Sequence, residues 1–362
     1  MFDLMGITER VKAETTQEKG LDFIDSNGTA WGHFPQMTDV SFSREIEIVR
    51  GTLAQILWEE TKDKVDYIID ESIKAISQSA DQVDIEFRSG NKESYDVLII
   101  ADGLTSRTRA LAFNQDVRDP IKSLNQYVAG FSFPANKEQG DGDWAKWYST
   151  TGGRVIVHRP DGTGKMRTNF IKMDYTTDTR NACSSKTSIA QQKEYFAQLF
   201  KTNGWQSERL VQAMMDSTDF YTYEVGQVKM DKWSKGRIVM IGDAASCPSP
   251  ISGAGTNVAI TQAYVLAAMM TKHSGDHEKA FDAYEQELRK WVEGIQKLVP
   301  GAPEVACPSS YWGVRALLWA SYLGSFVVRS GLVGFLARRF GSSKGGRKLP
   351  ELEVFGKFPE SR

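Results

Sequence analysis

Cysteine is scarce in this sequence: Cys183, Cys247 and Cys307 are the only three in 362 residues, and no two of them form a CxxC pair. That excludes a disulfide framework and a cysteine-built zinc site, and it suits a reducing compartment, so a cytoplasmic protein is expected. An excess of charge of one sign is also lacking. The 44 Lys and Arg against 46 Asp and Glu leave a formal net charge of -2, which removes any electrostatic case for nucleic acid. No apolar run opens the chain, because MFDLMGITERVKAE has no signal-peptide core. Without secretion, Asn27-Gly28-Thr29 reads as a hairpin turn rather than a glycosylation site. The one membrane candidate, residues 316–328 between Arg315 and Arg329, falls short of the roughly 17 residues that a spanning helix needs. With GLVGFLARRF behind it, this stretch is either a helical pair packed on the body of the protein or a basic amphipathic surface making peripheral contact with a bilayer. Two phosphate-binding patterns are missing as well. GxGxxG occurs nowhere, and Gly162-Thr163-Gly164-Lys165 is not a P-loop, since no glycine stands five before Gly164 and Met166 replaces the hydroxyl.

What is present centres on GRIVMIGDAASCPSPISGAGTNVAITQAYVLAAMM, residues 236–270. Residues 237–241 are apolar, β-branched and too few for a helix, so they predict a buried strand that Gly242-Asp243 terminates. A Pro- and Ser-rich turn follows, then Gly253-Ala254-Gly255, then a small-residue helix over 256–270. Glycines at a helix start leave its free N–H groups open, and those groups favour an anion such as a phosphate. Asp243, at the strand's carboxyl end, is placed to accept hydrogen bonds from a sugar or polyol hydroxyl. Read on spacing alone, the same stretch is equally a strand, a turn and a core helix without a ligand.

The residues GRIVMIGDAASCPSPISGAGTN closely resemble the second flavin-binding signature of the group A FAD-dependent monooxygenases, the aromatic-hydroxylase or salicylate-hydroxylase-like family. The resemblance implies that Asp243 binds the ribityl chain of FAD and that the backbone from Pro250 through Gly253, Gly255 and Thr256 approaches the flavin and pyrophosphate. One departure is Ser246, where the family usually has histidine. Two further segments support the match. EIVRGTLAQIL resembles the family's arginine helix, which implies an FAD contact for Arg50. On charge alone, Arg50 near a helix start is mildly unfavourable unless an anion answers it. YDVLII predicts a short buried strand over 95–100, and the ADGLTSRTR after it resembles the DGxxSxxR signature. That match implies that Asp102, Gly103 and Arg109 lie near the FAD pyrophosphate and bear on NADPH use. Its plain structural reading is a DG turn and a helix capped by Thr105 or Ser106.

The expected fold is α/β with an α+β insert: an incomplete Rossmann-like FAD-binding domain in two parts, 1–122 and 231–300, interrupted by an antiparallel-sheet substrate domain at 123–230 and followed by C-terminal helices and tail at 301–362. A short helix is predicted over 1–14, a hairpin over 21–34, a helix starting near Ser43 with Ile46, Leu53, Ile56 and Leu57 at helical spacing, and strands at 65–69, 73–77 and 83–88. The alternating, aromatic-rich runs QYVAGFSF, WAKWYST, RVIVHR, TNFIKMDY and YTYEVGQVKM predict the sheet, with helices at 186–201 and 208–216 between them. Further helices are predicted at 278–298 and 311–340. Trp144, Trp147, Tyr148, Phe170, Phe220, Tyr221 and Tyr223 offer rings for an aromatic substrate, although such side chains also fill sheet cores. His158 reads as structural or solvated rather than catalytic.

Members of this family begin with a strand, a GxGxxG turn and a helix. Against that pattern, a unit on the order of 30 to 50 residues is expected to be missing ahead of Met1, leaving strand edges open and the adenosine half of FAD without its seat. Weak FAD binding is the expectation for such a chain. By resemblance the activity is NADPH-dependent hydroxylation of an aromatic or polycyclic small molecule through a flavin C4a-hydroperoxide. The cofactor carries that chemistry, so no catalytic base, nucleophile triad or metal is indicated. A truncated, non-catalytic family member or incomplete gene model is the first alternative. A flavin halogenase or reductase is the second, although the halogenase WxWxIP pattern is absent.

Overall fold

The computed structural model describes residues 2–16, 18–36 and 47–330. Short helices α1 (Phe2–Met5) and α2 (Thr8–Ala13) lead into a hairpin of β1 (Gly20–Ile24) and β2 (Ala30–Pro35), followed by α3 (Arg50–Thr61). Strands β3 (Ile73–Gln78), β4 (Val83–Phe87), β5 (Lys92–Tyr95) and β6 (Leu98–Ile100) precede α4 (Arg107–Phe113). Next come β7 (Ile121–Pro134), β8 (Trp144–Thr150), β9 (Arg154–Pro160) and β10 (Lys165–Met173), then α5 (Asp178–Ala182), α6 (Ile189–Phe200), α7 (Ser207–Asp216) and β11 (Tyr221–Val228). The chain continues through β12 (Ser234–Lys235), β13 (Ile238–Met240), α8 (Gly242–Ser246), α9 (Gly255–Lys272), α10 (His277–Gln296) and α11 (Tyr311–Arg329).

Three sheets organise these elements. The largest has the order β11-β7-β10-β9-β8-β1-β2. It is antiparallel except where β1 runs parallel to β8, so the hairpin expected within the first domain is bound by its backbone to this large sheet. Helices α6 and α7 cover one face through Phe196, Phe200, Leu210 and Met214, which meet Phe131, Ile156 and Phe170 from the sheet. The Phe170 and Phe200 rings stack at 4.4 Å, and both are fully buried. Burying a side chain of that size stabilises the fold by about 1.5–3 kcal/mol, which is why the aromatic alternation specifies this layer.

The second sheet, β12-β13-β6, carries the Rossmann-like feature: β13 lies parallel to β6, with Ile238, Val239 and Met240 opposite Leu98, Ile99 and Ile100. Helices α9 and α10 and the third sheet, β3-β4-β5, enclose it around Val83, Ile238, Met240, Leu266 and Tyr284. β6 forms the free edge of its sheet among the described residues, and Ile99 is 42% exposed there.

The α/β architecture with its antiparallel insert is the expected one, with local corrections. The first helix is broken at Gly6, whose φ of +71° is left-handed. Residues 65–69 form no strand. Val65, Ile68 and Ile69 are exposed and no neighbouring strand pairs with them among the described residues, so β-propensity there has no ladder to express it. The strand expected over 95–100 divides, Tyr95 closing β5 and residues 98–100 forming β6. The helix near Arg50 begins at that residue, because Ile48 bridges Thr15 and Val49 is extended. The predicted helix beyond residue 330 lies outside the described residues.

Candidate functional site

The parallel pairing of β6 and β13 brings the two sequence signatures side by side. Both strands end at the same level, and Ile241 N donates to Ile100 O at 3.0 Å. Asp102 and Asp243 therefore leave adjacent strand ends, the position at which parallel α/β sheets open a ligand crevice. Asp102 is exposed and Asp243 half-buried.

Each turn is held by its own side chains. Ser106 caps α4 by accepting from Arg109 N at 2.9 Å, and its hydroxyl donates to Asp102 Oδ1. Thr108 N donates to Asp102 Oδ2 at 3.3 Å. Arg109 is wholly buried. One Nη donates to Ala244 O at 2.9 Å, and the other donates to Leu104 O at 2.9 Å and Val117 O at 3.1 Å. Its guanidinium thus ties the first signature to the backbone of the second, while its Nε has no partner. Burial lowers the Arg109 pKa from its ordinary value, and the Asp102 charge pulls the other way.

In the second signature, the fully buried Gln262 of α9 accepts from Gly242 N at 2.7 Å and donates to Ser246 Oγ at 2.9 Å. Ser246, in the place of the family's histidine, is therefore taken up in bracing the turn. Gln296, at the end of α10, donates from its amide to Val228 O, Ser246 O and Cys247 O at 2.8–3.2 Å. Gln227 of β11 donates to Pro248 O at 3.1 Å, and Val228 N to Cys247 O at 3.1 Å. The large sheet is thereby fastened over this turn. Cys247 is buried, and burial, with the Asp243 carboxylate beside it adding to the effect, pushes the thiol up to about 12. It is an inert thiol rather than a nucleophile.

Beyond the turn the polar groups are left open. Pro250 starts a short 3-10 turn ending at Gly253, whose φ of +60° is left-handed and which has no atom within 4 Å of where a Cβ would stand. Gly103, at φ +90°, faces the same kind of open space. Helix α9 starts at Gly255 and Thr256 with no side chain capping it, so its first N–H groups and dipole are available to an anion. A Cβ on Gly255 would lie 3.9 Å from Asp243 Oδ1, which places the helix start next to that carboxylate. Ser249 Oγ is buried without a partner.

Arg50 opens α3, exposed and unpaired among the described residues. Its charge opposes the rise of both the Cys247 and the Tyr223 pKa, which puts it within electrostatic reach of the second signature and of β11. Just before it, Glu47 accepts from Arg159 at 2.5 Å, and Arg159 also pairs with Glu18 at 2.8 Å, which anchors the start of α3 to the large sheet. Burial, then the neighbouring Tyr221, raises Tyr223 to about 12 despite Arg50.

The structure sorts the seven rings that sequence left undivided. Phe170, Tyr148 and Phe220 are core, and Trp144 stacks on His33 at 4.0 Å. Trp147 packs against Phe23. Tyr221 and Tyr223 stack at 6.0 Å on the edge strand β11, and Tyr223 is within electrostatic reach of Arg50. His158 is buried between Asp141 at 2.9 Å and Thr168 at 2.8 Å, a structural position. Gln227, Gln262 and Gln296 had no signal in sequence, because a lone glutamine in a strand or helix belongs to no motif.

The open donors and paired carboxylates are the groups an FAD molecule requires: an anion site for the pyrophosphate, carboxylates for ribityl hydroxyls, and a cation. The comparisons agree with that chemistry. A family model described as the FAD binding domain matches residues 1–298. A flavin-dependent monooxygenase of an unknown prokaryotic organism is 34% identical over 297 residues, covering 81% of this chain and 74% of the relative. The flavin-dependent monooxygenase eupH of Phoma sp is 32% identical over 340 residues, covering 87% and 78%. The crystal structure of tetracycline destructase Tet(55) superposes with a TM-score of 0.71 at 28% identity, covering 97% of this chain and 85% of that one. With the crevice, the match over most of its length and these relatives together, the chain belongs to the FAD-binding family of flavin-dependent monooxygenases.

Proposed function

We propose that this enzyme uses NADPH as reductant and hydroxylates an aromatic or polycyclic small molecule, with FAD held between the β6 and β13 strand ends. The observation that supports this reading is that the β6 and β13 strand ends, which lead into Asp102 and Asp243, lie side by side, with the uncapped start of α9 next to Asp243. Asp243 would take the ribityl hydroxyls. The backbone of Gly253, Gly255 and Thr256 would take the pyrophosphate, with Pro250 fixing the turn. Arg50 would answer the remaining negative charge, and Asp102 with Gly103 would line the opposite wall. Arg109 acts through others, holding the two turns in register. When bound, FAD supplies the electron transfer and dioxygen activation. The protein's own part is to orient the substrate and exclude water. Tyr223, which feels the Arg50 charge, and Tyr221 stacked on it would supply aromatic surface for the substrate, and the fused rings of tetracycline, the compound in the name of Tet(55), are the kind of surface they would stack against. FAD-dependent NADPH oxidation stimulated by a panel of aromatic and polycyclic compounds tests the reading. Oxidation that no compound stimulates would count against it.

The free edge of β6 and the exposed Ile99 favour a second reading, in which the flavin half of the cofactor is seated and the adenosine half is not. Comparing affinities for FAD and FMN decides it. Equal affinities support an unseated adenosine, and a large preference for FAD removes that reading.

A further inference from the structure

Helix α11 packs on the sheet edge opposite the cofactor crevice, and only one side of it is used. Leu318, Ser321 and Ser325 are buried against the β1–β2 hairpin, so closely that a Cβ on Gly32 would meet Ser321 at 2.6 Å. The outward side carries Trp312, Trp319, Tyr322, Leu323 and Phe326, spaced as one stripe along the helix, with Trp312 78% and Phe326 67% exposed. An apolar stripe of this kind on a protein surface needs an occupant.

Charge indicates which one. The chain as a whole is close to neutral, yet every charged residue from 305 to 350 is Lys or Arg. Within α11, Arg329 extends the stripe, and Arg315 lies at 4.7 Å over the Trp31 ring. No helix among the described residues is long and apolar enough to cross a membrane. Aromatic and leucine side chains on one face with arginines beside them are what an interfacial helix presents to anionic lipid: rings enter the headgroup boundary while arginines meet phosphates. Asp25, which accepts from Trp31 Nε1 at 3.1 Å, lies near Arg315 and offsets part of its charge, which leaves Arg329 as the cation on the stripe. The sheet order sets β2, under α11, at the far end from β11, so a lipid surface bound there leaves the crevice open.

We infer that the outward face of α11 docks the protein on an anionic bilayer surface. The test is sedimentation of the full chain with vesicles of phosphatidylcholine alone and of phosphatidylcholine with phosphatidylserine, at low and high salt. Binding is expected to the mixed vesicles, to weaken with salt, and to fall roughly tenfold or more in a Trp312→Ser, Phe326→Ser double variant. The variant's melting temperature should match the parent's, because both side chains are exposed. Three results would overturn the inference. The chain could fail to sediment with either vesicle. The double variant could bind as well as the parent. Or the same substitutions could abolish self-association in solution without affecting vesicles, which would make the face a contact between two copies.

Discussion

The large sheet and the β6/β13 crevice treat their polar groups in opposite ways. In the sheet, buried ionisable groups are paired. Asp141 takes hydrogen bonds from His158 at 2.9 Å and from Arg209 at 2.6 and 3.1 Å, and Asp174 accepts from the hydroxyls of Thr176 and Thr179 at 2.7 and 2.5 Å. In the crevice, Arg50 has no partner among the described residues, α9 has no side-chain cap, and Ser249 Oγ and Arg109 Nε are buried without one. An unsatisfied buried polar group costs about 1–3 kcal/mol, and single orphaned atoms also occur around the large sheet, at Glu47, Arg167, Asn203, Ser207 and Arg209; what sets the crevice apart is the unanswered Arg50 charge beside the uncapped start of α9.

Substitutions at the two places should separate the two kinds of group. The largest effect is expected for Asp141→Ala, which strands Arg209 and His158. Loss of one partner from a buried charge pair costs about 3 kcal/mol or more, visible as a lowered melting temperature with FAD affinity unchanged. Asp243→Ala should do the reverse. Removal of a charged acceptor for ribityl hydroxyls is worth about 2 kcal/mol, or roughly 30-fold in FAD affinity by titration, while the ligand-free protein melts as before. Gln296→Leu sharpens the comparison, since it touches no ligand but leaves the carbonyls of Val228, Ser246 and Cys247 without their donor. It should cost about 1–2 kcal/mol of stability and weaken FAD binding in parallel. Arg50→Ala is smaller, about 1 kcal/mol or less as for other exposed charges, seen as weaker FAD binding whose difference from the parent fades with salt.

The smallest effect is in pH. Burial holds the His158 pKa below its ordinary 6.5, although Asp141 opposes this. The unfolded chain takes up that proton below pH 6.5 while the folded protein resists it, so stability is retained above 6.5 and lost as pH falls below it. A melting-temperature profile should show this slope. His158→Phe, which substitutes a ring beside Phe133, should flatten it.

Much of this was legible from residue pattern. The strand at 238–240 and the helix at 255–272 emerged within two residues of expectation because β-branched and small apolar residues each restrict the backbone locally, whereas the five-residue helix α8 between them stands where only a turn was expected. The sheet strands were legible for the same reason. The failures were of partnership rather than propensity. Residues 65–69 look like a strand but have no ladder, and β6 is shorter and more open at Ile99 than its apolar sequence predicts. Long-range placement was also hidden. Nothing in FDLMGITERVKAE or LDFIDSNGTAWGHF announces that the hairpin pairs with β8. DGxxSxxR does not say that its arginine ends in the carbonyls of the other signature.

Hydrogen exchange of the full chain with and without excess FAD tests most directly where the cofactor sits. Protection is expected in peptides covering 98–109 and 241–258 and at the start of α3, with the interior of the large sheet around His158 unchanged. Protection confined to other segments, with 98–109 and 241–258 exchanging as before, would contradict the placement of the cofactor between these two strand ends.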